Sequence, residues 1–554
     1  MPFMCDFETN TGNIDHTRVW AWASVEIDDP DHTFRYGDDI STFMSWLQYQ
    51  SSMKDTIYFH NLKFDGDFIV NYLLKNGWTF INRANNARKK TFTTLISGSG
   101  AWYCMTLYFT RNKYIKIIDS LKIIPLKVEQ IPKAFGLAEA KGSIDYKLYR
   151  EKGYELTSDE ISYISGDVTI VAKALAYMFK QGLTKMTQGS NALNDYKIMF
   201  LDYFKYFFPN IKDADHDIRR SYRGGFTYCN PRYQGQDVGS GIVLDVNSLY
   251  PSRMKYELLP YGMPRWFDGQ YVEDDAWPLY VQHLRCTFFL KDGMIPTIQI
   301  KNSLYYSNNE YLSEATDADL WLTSVDLELF KEHYRLADVE YLGGYKFRGG
   351  KGFFDEYIDK WMSVKIDASK SGNKGMRSIA KIMLNSLYGK FGTNPHVTNK
   401  QPELRDDGSC LYRVNREPDR DPVYIPVATF ITAWARAYTI RAAQRVYDRF
   451  LYADTDSLHL LGEEIPEGLF VDDNEIGAWK HESSFKRAKF IRQKCYIEEE
   501  ESGLKVTCAG MPDYLHKDVT WENFKLGATF PGKLVPKRID GGTILVETDF
   551  TIRE

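Results

Sequence analysis

The chain has 554 residues, 44% of them hydrophobic, 15% aromatic and 26% charged, with a net charge of −5. That apolar content excludes a disordered chain, and the length calls for roughly two to four domains rather than one core. A pI near 6.1 counts mildly against nucleic-acid binding when averaged over the chain. Seven scattered cysteines with no C-x-x-C spacing argue against a disulfide framework or a zinc site. No basic-then-apolar leader is present and no apolar run approaches about 20 residues, so a reducing cytoplasm and no membrane are expected.

In chain order, Phe3-Met4-Cys5-Asp6-Phe7-Glu8-Thr9 predicts a short strand with Asp6 and Glu8 on one face. Tyr58-Phe59-His60-Asn61-Leu62-Lys63-Phe64-Asp65 adds a third acid. Thr157-Ser158-Asp159-Glu160 reads as a capping signal for a helix. Tyr163 and Asp167, four apart, then lie side by side. Four carboxylates and a tyrosine from three segments can hold two Mg2+ or Mn2+ ions and orient a water.

Gly241-Ile242-Val243-Leu244 predicts an apolar strand that delivers Asp245 at its end. Further strands are expected at 281–290 and 295–300. From Arg377 the polar residues Arg377, Lys381, Asn385 and Tyr388 follow in steps of four, four and three, along one helix stripe. Two cations a turn apart suit a polyphosphate, Tyr388 can stack on a base, and Gly389 reads as the helix stop. Residues 404–412 read as a hairpin around Asp407-Gly408. Residues 450–461 read as a second hairpin with Asp454 and Asp456 at its tip, and strand alternation points both the same way. Asp245 and the tip acids can converge on a pair of divalent ions that clamp the attacking and leaving oxygens of a phosphoryl transfer. Lys486, Arg487, Lys489, Arg492 and Lys494, among Phe485, Phe490 and Tyr496, suit a groove that tracks a nucleic-acid backbone. Taken singly, each acid would pass as a turn-former and each lysine as part of a wet face.

Together they do not. Asp245-Val246-Asn247-Ser248-Leu249-Tyr250-Pro251, Lys381-Ile382-Met383-Leu384-Asn385-Ser386-Leu387-Tyr388-Gly389 and Tyr452-Ala453-Asp454-Thr455-Asp456, in that order, resemble the three polymerase motifs of the family B DNA polymerases. Tyr222-Arg223-Gly224-Gly225 is similar to the linker motif between the exonuclease and polymerase halves. Thr432-Ala433-Trp434-Ala435-Arg436 and Lys494-Cys495-Tyr496 are similar to the template- and primer-contacting motifs. The first 190 or so residues resemble a DEDD 3'-5' exonuclease. Short length and the order of insertions resemble the protein-primed subgroup of small tailed Bacillus phages.

The resemblance implies an α/β multidomain chain. A ribonuclease H-like exonuclease (1–186) would precede a right hand: palm (187–256 and 421–508), fingers (357–392) and thumb (509–554). Two insertions, 257–356 and 393–420, would contact a priming terminal protein and wrap DNA. It implies a monomeric DNA-templated DNA polymerase in the host-cell cytoplasm, with proofreading and strand displacement, two Mg2+ or Mn2+ ions per active site and deoxynucleoside triphosphates as substrate.

For synthesis, the resemblance makes Asp245 and Asp456 metal ligands, Asp454 a weaker partner, and the Val246 carbonyl a further ligand. Arg377, Lys381 and Lys365 would hold the phosphates, with Lys370 and Lys374 as alternatives to Lys365. Asn385 joins the nucleotide site. Tyr250 and Tyr388 would bracket sugar and base, Tyr250 as the gate against a 2'-hydroxyl. For the exonuclease, Asp6, Glu8, Asp65 and Asp167 would hold metal, Tyr163 would orient the nucleophile, and Lys141 would assist. Thr9, His60, Asn61, Phe64, Ser120, Leu121 and Tyr146 would hold the frayed 3' end. Tyr222, Gly225, Thr432, Arg436, Lys494 and Tyr496 would contact DNA. Rival readings are a stand-alone nuclease, which has no use for 377–389, an RNA polymerase or reverse transcriptase, and a non-catalytic binding protein.

Overall fold

Alternation along the strand Pro2–Thr9 sets the first layer. Phe3, Cys5 and Phe7 are buried on one face and Met4 on the other, followed there by Asp6 and Glu8. The computed structural model describes residues 1–11, 15–139, 142–146 and 148–553. In it, Pro2–Thr9 lies within an eight-stranded mixed sheet, antiparallel to Val19–Glu26 and parallel to Thr56–Phe59, which in turn runs parallel to Tyr114–Asp119. The helix Ser158–Lys180 packs on the Met4 face, starting at the expected Thr157/Glu160 capping box. Ile40–Gln50 and Leu62–Lys75 cover the other face. The sheet is therefore a three-layer α/β unit, and both carboxylates of its first strand face the long helix.

A second, five-stranded antiparallel sheet has the order Trp479–Phe485, Gly241–Val246, Ser457–Leu461, Phe450–Asp454 and Thr227–Cys229. The helix Ile425–Arg445 backs it, packing Ala435, Ile440 and Ala443 against Ile242, Leu244 and Leu458. Beside this sheet stands a helical hairpin, Asp355–Lys370 and Lys374–Phe391, turned at Gly372 with φ +70°. The second helix does not stop at Gly389. It runs on because Phe391 is fully buried against Phe208 and Phe354, and Gly392 caps it instead.

Residues 259–350 form a four-stranded antiparallel sheet in the order Leu259–Phe267, Tyr334–Gly350, Leu279–Leu290 and Glu314–Thr323. The strand expected at 295–300 is absent. Pro296 has no N–H to give a ladder, and the N–H groups of Ile295 and Thr297 are taken by the Gln444 side chain and the Tyr334 hydroxyl. The hairpin around Asp407-Gly408 is present, pairing Thr398–Leu404 with Cys410–Arg416. A last hairpin pairs Thr529–Ile539 with Gly542–Thr551.

Both of these hairpins dock on the first unit through one carboxylate. Asp67, 1% exposed, accepts from the Tyr412 hydroxyl at 2.6 Å and the Thr543 hydroxyl at 2.7 Å, with Arg538 at 3.5 Å. Asn71, one helical turn on, donates to Gly408 O at 2.7 Å. Lys75 pairs with Asp540, whose carbonyl accepts from Thr17 N. A buried carboxylate with no donors would cost several kcal/mol; here its donors come from segments far apart in sequence.

Candidate active sites

Asp245 ends the apolar strand Gly241–Val246, with Ser457 opposite it on one neighbouring strand and Lys480 on the other. The Val246 N–H donates to Asp456 O at 2.8 Å, which ties the strand end to the tip of the 450–461 hairpin. That tip is a two-residue turn with Thr455 at φ +62°. Its strain is held from both sides: Thr455 N donates to Phe226 O at 2.6 Å and Thr439 Oγ1 donates to Thr455 O at 2.9 Å. Asp454 and Asp456 flank this left-handed residue. Asp454 closes the first strand of the hairpin and Asp456 lies in the turn itself. Asp454 accepts from Lys494 Nζ at 2.6 and 2.9 Å and from Thr227 Oγ1 at 2.9 Å. Asp456 turns toward Asp245.

Burial, then the charges of Asp456 and Glu482, push the Asp245 carboxyl up to about 7, against Lys381 and Lys480. Burial, then Asp454 and Glu482, push Asp456 up as well. Two hard-oxygen donors that repel each other in a partly buried site suit a divalent cation such as Mg2+ or Mn2+. Both acids line a cleft of about 400 Å³ with Val246, Tyr250, Lys365, Lys381, Asn385 and Tyr388. Of Lys365, Lys370 and Lys374, it is Lys365 that lines this cleft. Burial, then Arg377, Lys381 and Lys480, lower its ammonium pKa, so these cations crowd one space. Lys374 and Arg377 line the neighbouring cavity of about 850 Å³, and Lys370 is exposed at its helix end. Tyr250 and Tyr388 stack on each other, ring centres 4.1 Å apart.

Gly225 lies against the Thr455 turn and the Tyr250 hydroxyl. A Cβ there would lie 2.6 Å from Thr455 Oγ1 and 2.9 Å from the Tyr250 hydroxyl. Overpacking of this kind costs about 1–3 kcal/mol. Set against the transition state, that is about a 5- to 160-fold loss in kcat/KM for Gly225→Ala. Steady-state nucleotide incorporation checks it, and an unchanged value would mean that the Gly225 loop stands clear of the reaction.

Several expected DNA-contacting side chains are buried instead. Arg436, 4% exposed, pairs with Asp326 at 2.8 Å and donates to the carbonyls of Arg223 and Gly224 at 2.8 Å each. It holds the Gly224-Gly225 loop in place rather than reaching out. Thr432 bonds within its own helix, to Ala428 O and Thr429 O. Tyr496 packs on Tyr452 and Phe490 below the hairpin. Tyr222 is partly buried, its hydroxyl within 2.7 Å of where a Cβ on Gly392 would sit. Most of the expected basic run is paired internally: Arg487 with Glu499, Lys489 with Asp237, Lys494 with Asp454, and Arg492 with the Arg553 carbonyl. Short-range charge density could not show the pairing of Lys489, Lys494 and Arg492, whose partners Asp237, Asp454 and Arg553 lie 40 or more residues away.

In the first unit, Asp6, Glu8 and Asp167 each bring one oxygen within 4.8 Å of the others. Asp65, on the first turn of Leu62–Lys75, is held well above the usual carboxylate range by burial, then by Asp6, Glu8 and Asp119. An all-carboxylate set of this kind fits Mg2+ or Mn2+. The Tyr163 phenol is raised by burial first and then by Glu8, and its oxygen is 2.5 Å from that of Tyr146. Asn61, at φ +71°, starts the Leu62–Lys75 helix, and Phe64, half-buried, lies against Phe68. Thr9 and Ser120 are buried. Ser120 donates to Phe59 O and meets His60 Nδ1 at 3.0 Å, so it helps to orient His60. Lys141 lies outside the described residues.

Three contributors went unread in the sequence. Asp119 accepts from the N–H groups of Asn61, Leu62 and Leu121 and so fixes the loop carrying those residues. Its signal was an acid following the β-branched stretch Ile115-Lys116-Ile117-Ile118. Lys480 and Glu482 reach the Asp245 site from a strand whose Trp-Lys-His-Glu pattern carries no motif.

Residues 50–152 and 149–472 match the family described as DNA polymerase type B, organellar and viral. The chain is 45% identical to the DNA polymerase of Bacillus phage phi29, over 100% of this chain and 99% of that one. It is 36% identical to the DNA polymerase of Streptococcus phage Cp-1, over 99% and 98%. The solved phi29 DNA polymerase complexed with primer-template DNA and incoming nucleotide substrates is similar over 100% of both chains, with a TM-score of 0.94 and 45% identity.

Proposed function

The chain belongs to the type B DNA polymerases of the organellar and viral kind, and on that premise we propose how its two carboxylate sites divide the work. It is a DNA-directed DNA polymerase of the phi29 type. We assign nucleotide transfer to the Asp245 cleft and 3'-5' proofreading to the Asp6 cluster. The observation that carries this reading is one cleft gathering two repelling acids, two cations and two stacked tyrosines.

Asp245 and Asp456 would hold divalent metal, with the Val246 carbonyl beside them; bound there, the metal supplies Lewis-acid activation of the phosphoryl group and of the attacking 3'-hydroxyl. Lys365 and Lys381 bind and orient the triphosphate, and their charge offsets that growing on the leaving oxygens. Arg377 extends the same cationic strip into the neighbouring cavity. Asn385, one turn beyond Lys381, faces the nucleotide. Tyr250 and Tyr388 separate to take the sugar and base between them. Asp454 keeps Lys494 in place for the primer end. At the second site Asp6, Glu8, Asp65 and Asp167 would hold Mg2+ or Mn2+, and Tyr163, oriented by Tyr146, would position the hydrolytic water.

On this reading the five-stranded sheet is the palm, the 355–391 helical hairpin the fingers, and the C-terminal hairpin part of the thumb. The partners are primer-template DNA, a frayed single strand, deoxynucleoside triphosphates and a priming protein, and the enzyme works as a monomer in the host cytoplasm.

Primer extension tests the assignment. Lys365→Ala raises the KM for deoxynucleotide by about 10-fold or more, the loss of one charge-assisted contact of about 1.5–3 kcal/mol. Lys370→Ala leaves KM within about twofold, and the reverse ranking would reject Lys365 as the phosphate ligand. Tyr250→Val raises the ratio of kcat/KM for ribo- over deoxynucleotide, because a phenol under the sugar excludes a 2'-hydroxyl by overlap. An unaltered ratio would leave Tyr250 as a packing residue for Tyr388.

A further inference from the structure

Cys495 and Cys508 face each other across the antiparallel strands Cys495–Glu500 and Gly503–Cys508. Their sulfurs are 3.5 Å apart and both side chains are buried, Cys495 fully and Cys508 at 6% exposure. The Ala509 N–H donates to Lys494 O at 2.7 Å, so the flanking pair is the hydrogen-bonded one. Cys495 and Cys508 therefore form a non-hydrogen-bonded pair, the kind in which Cα atoms approach to about 4.5 Å. That separation lies inside the roughly 4.4–6.8 Å that a disulfide spans. Among the described residues no other two cysteine sulfurs make such a contact.

The position is not neutral ground. Cys495 follows Lys494, which takes φ +55°, donates its N–H to the Tyr452 hydroxyl and pairs its ammonium with Asp454. Cys495 also precedes Tyr496, which packs under the same hairpin. A covalent bond between the two strands would fix the backbone beneath the Lys494–Asp454 pair.

We propose that Cys495 and Cys508 are an oxidation site, which a small hydroperoxide converts to a cross-strand cystine in the folded enzyme. Cys508, the more exposed of the two, reacts first. A hydrogen bond with the Cys495 thiol, with Arg492 adding to it, holds the Cys508 thiol below its usual range. Its thiolate attacks one peroxide oxygen, the O–O bond breaks, hydroxide leaves, and Cys508 becomes a sulfenic acid. The Cys495 thiol gives up its proton and attacks the Cys508 sulfur; the S–O bond breaks and water leaves. Two thiols and one hydrogen peroxide thus become one disulfide and two waters. The thiols are oxidised, the peroxide is reduced, and the strands keep their register.

The test treats the full-length wild-type enzyme, folded, with hydrogen peroxide and maps it without reduction. The expected result is loss of the mass of two hydrogens, a cross-linked peptide pair holding residues 495 and 508, and reversal by dithiothreitol. In Cys495→Ser the Cys508 sulfenate has no partner and is trapped by dimedone at Cys508. Prior oxidation of any of the other five cysteines, or overoxidation of Cys508 in the wild type without the cross-link, would overturn the proposal. So would dimedone capture at no position in a folded variant. The wild type carries the first readout, so the cross-link is decided there even where the variant misfolds.

Discussion

Asp6→Ala combined with Asp65→Ala abolishes 3'-5' degradation and leaves primer extension within about twofold, while Asp456→Ala does the reverse. The reason is spatial. Asp6 and Asp65 sit with Glu8 and Asp167 on the eight-stranded sheet and its helices. Asp456 sits with Asp245 on a different sheet. Each site loses part of a preorganised electrostatic array, and loss of even one element of such an array costs about 10²–10³ in rate. The fold should survive. Asp65 and Asp456 are both held above the usual carboxylate range by burial and by neighbouring acids. Removing either relieves repulsion rather than stranding a partner. Thermal unfolding of Asp65→Ala alone and of Asp456→Ala should therefore match or exceed the wild type. Loss of both activities from either variant, with unfolding unchanged, would reject two separate sites.

Deleting 400–418 is expected to spare gap filling on a primed single strand and to cut both strand displacement and the length made per binding event. The hairpin 398–416 is anchored on the first unit at several points: Asn399 to Ile96 N at 3.0 Å and Thr94 O at 3.2 Å, Asn71 to Gly408 O, and Tyr412 to Asp67. Trp102 meets the Tyr412 ring edge-on at 5.6 Å. An arm fixed between the first unit and the C-terminal hairpin can hold the two template strands apart. Each base pair opened costs on the order of 1–2 kcal/mol, which a loosely tethered enzyme would lose to rehybridisation. The measurement is product length on a nicked circular duplex beside that on primed single-stranded circles. Equal performance on the nicked duplex would make this hairpin a surface ornament. Tyr412→Phe supplies the milder test, since it keeps the ring against Trp102 and removes one donor to Asp67.

What could be read from the chain alone followed short-range rules. Asp6, Glu8 and Asp245 were legible because strand alternation or an apolar run fixes where their side chains go. Tyr163 and Asp167 were legible because a capping box fixes the helix register. The misses all turned on partners far away in sequence. Arg436 is a buried ion-pair residue because Asp326 comes from the helix Ser324–His333, 110 residues off. Lys480 matters because of strand order, not local pattern. Thr455 is left-handed because Phe226 and Thr439 hold it from outside the hairpin. Residues 295–300 are apolar enough for a strand but have their N–H groups claimed by Gln444 and Tyr334.

The carboxylate at Asp67 also sets a timetable. Thr543, one of its three donors, is 476 residues further along the chain. A ribosome adding roughly 5–20 residues per second needs tens of seconds to cover that distance. For that interval the nascent first unit carries Asp67 in water, charged and content there. Tyr412 arrives first, and the acid is sealed only when the final hairpin clears the exit tunnel. A stretch made late thus clasps one made early, and a chain released before Arg538 never fastens that clasp.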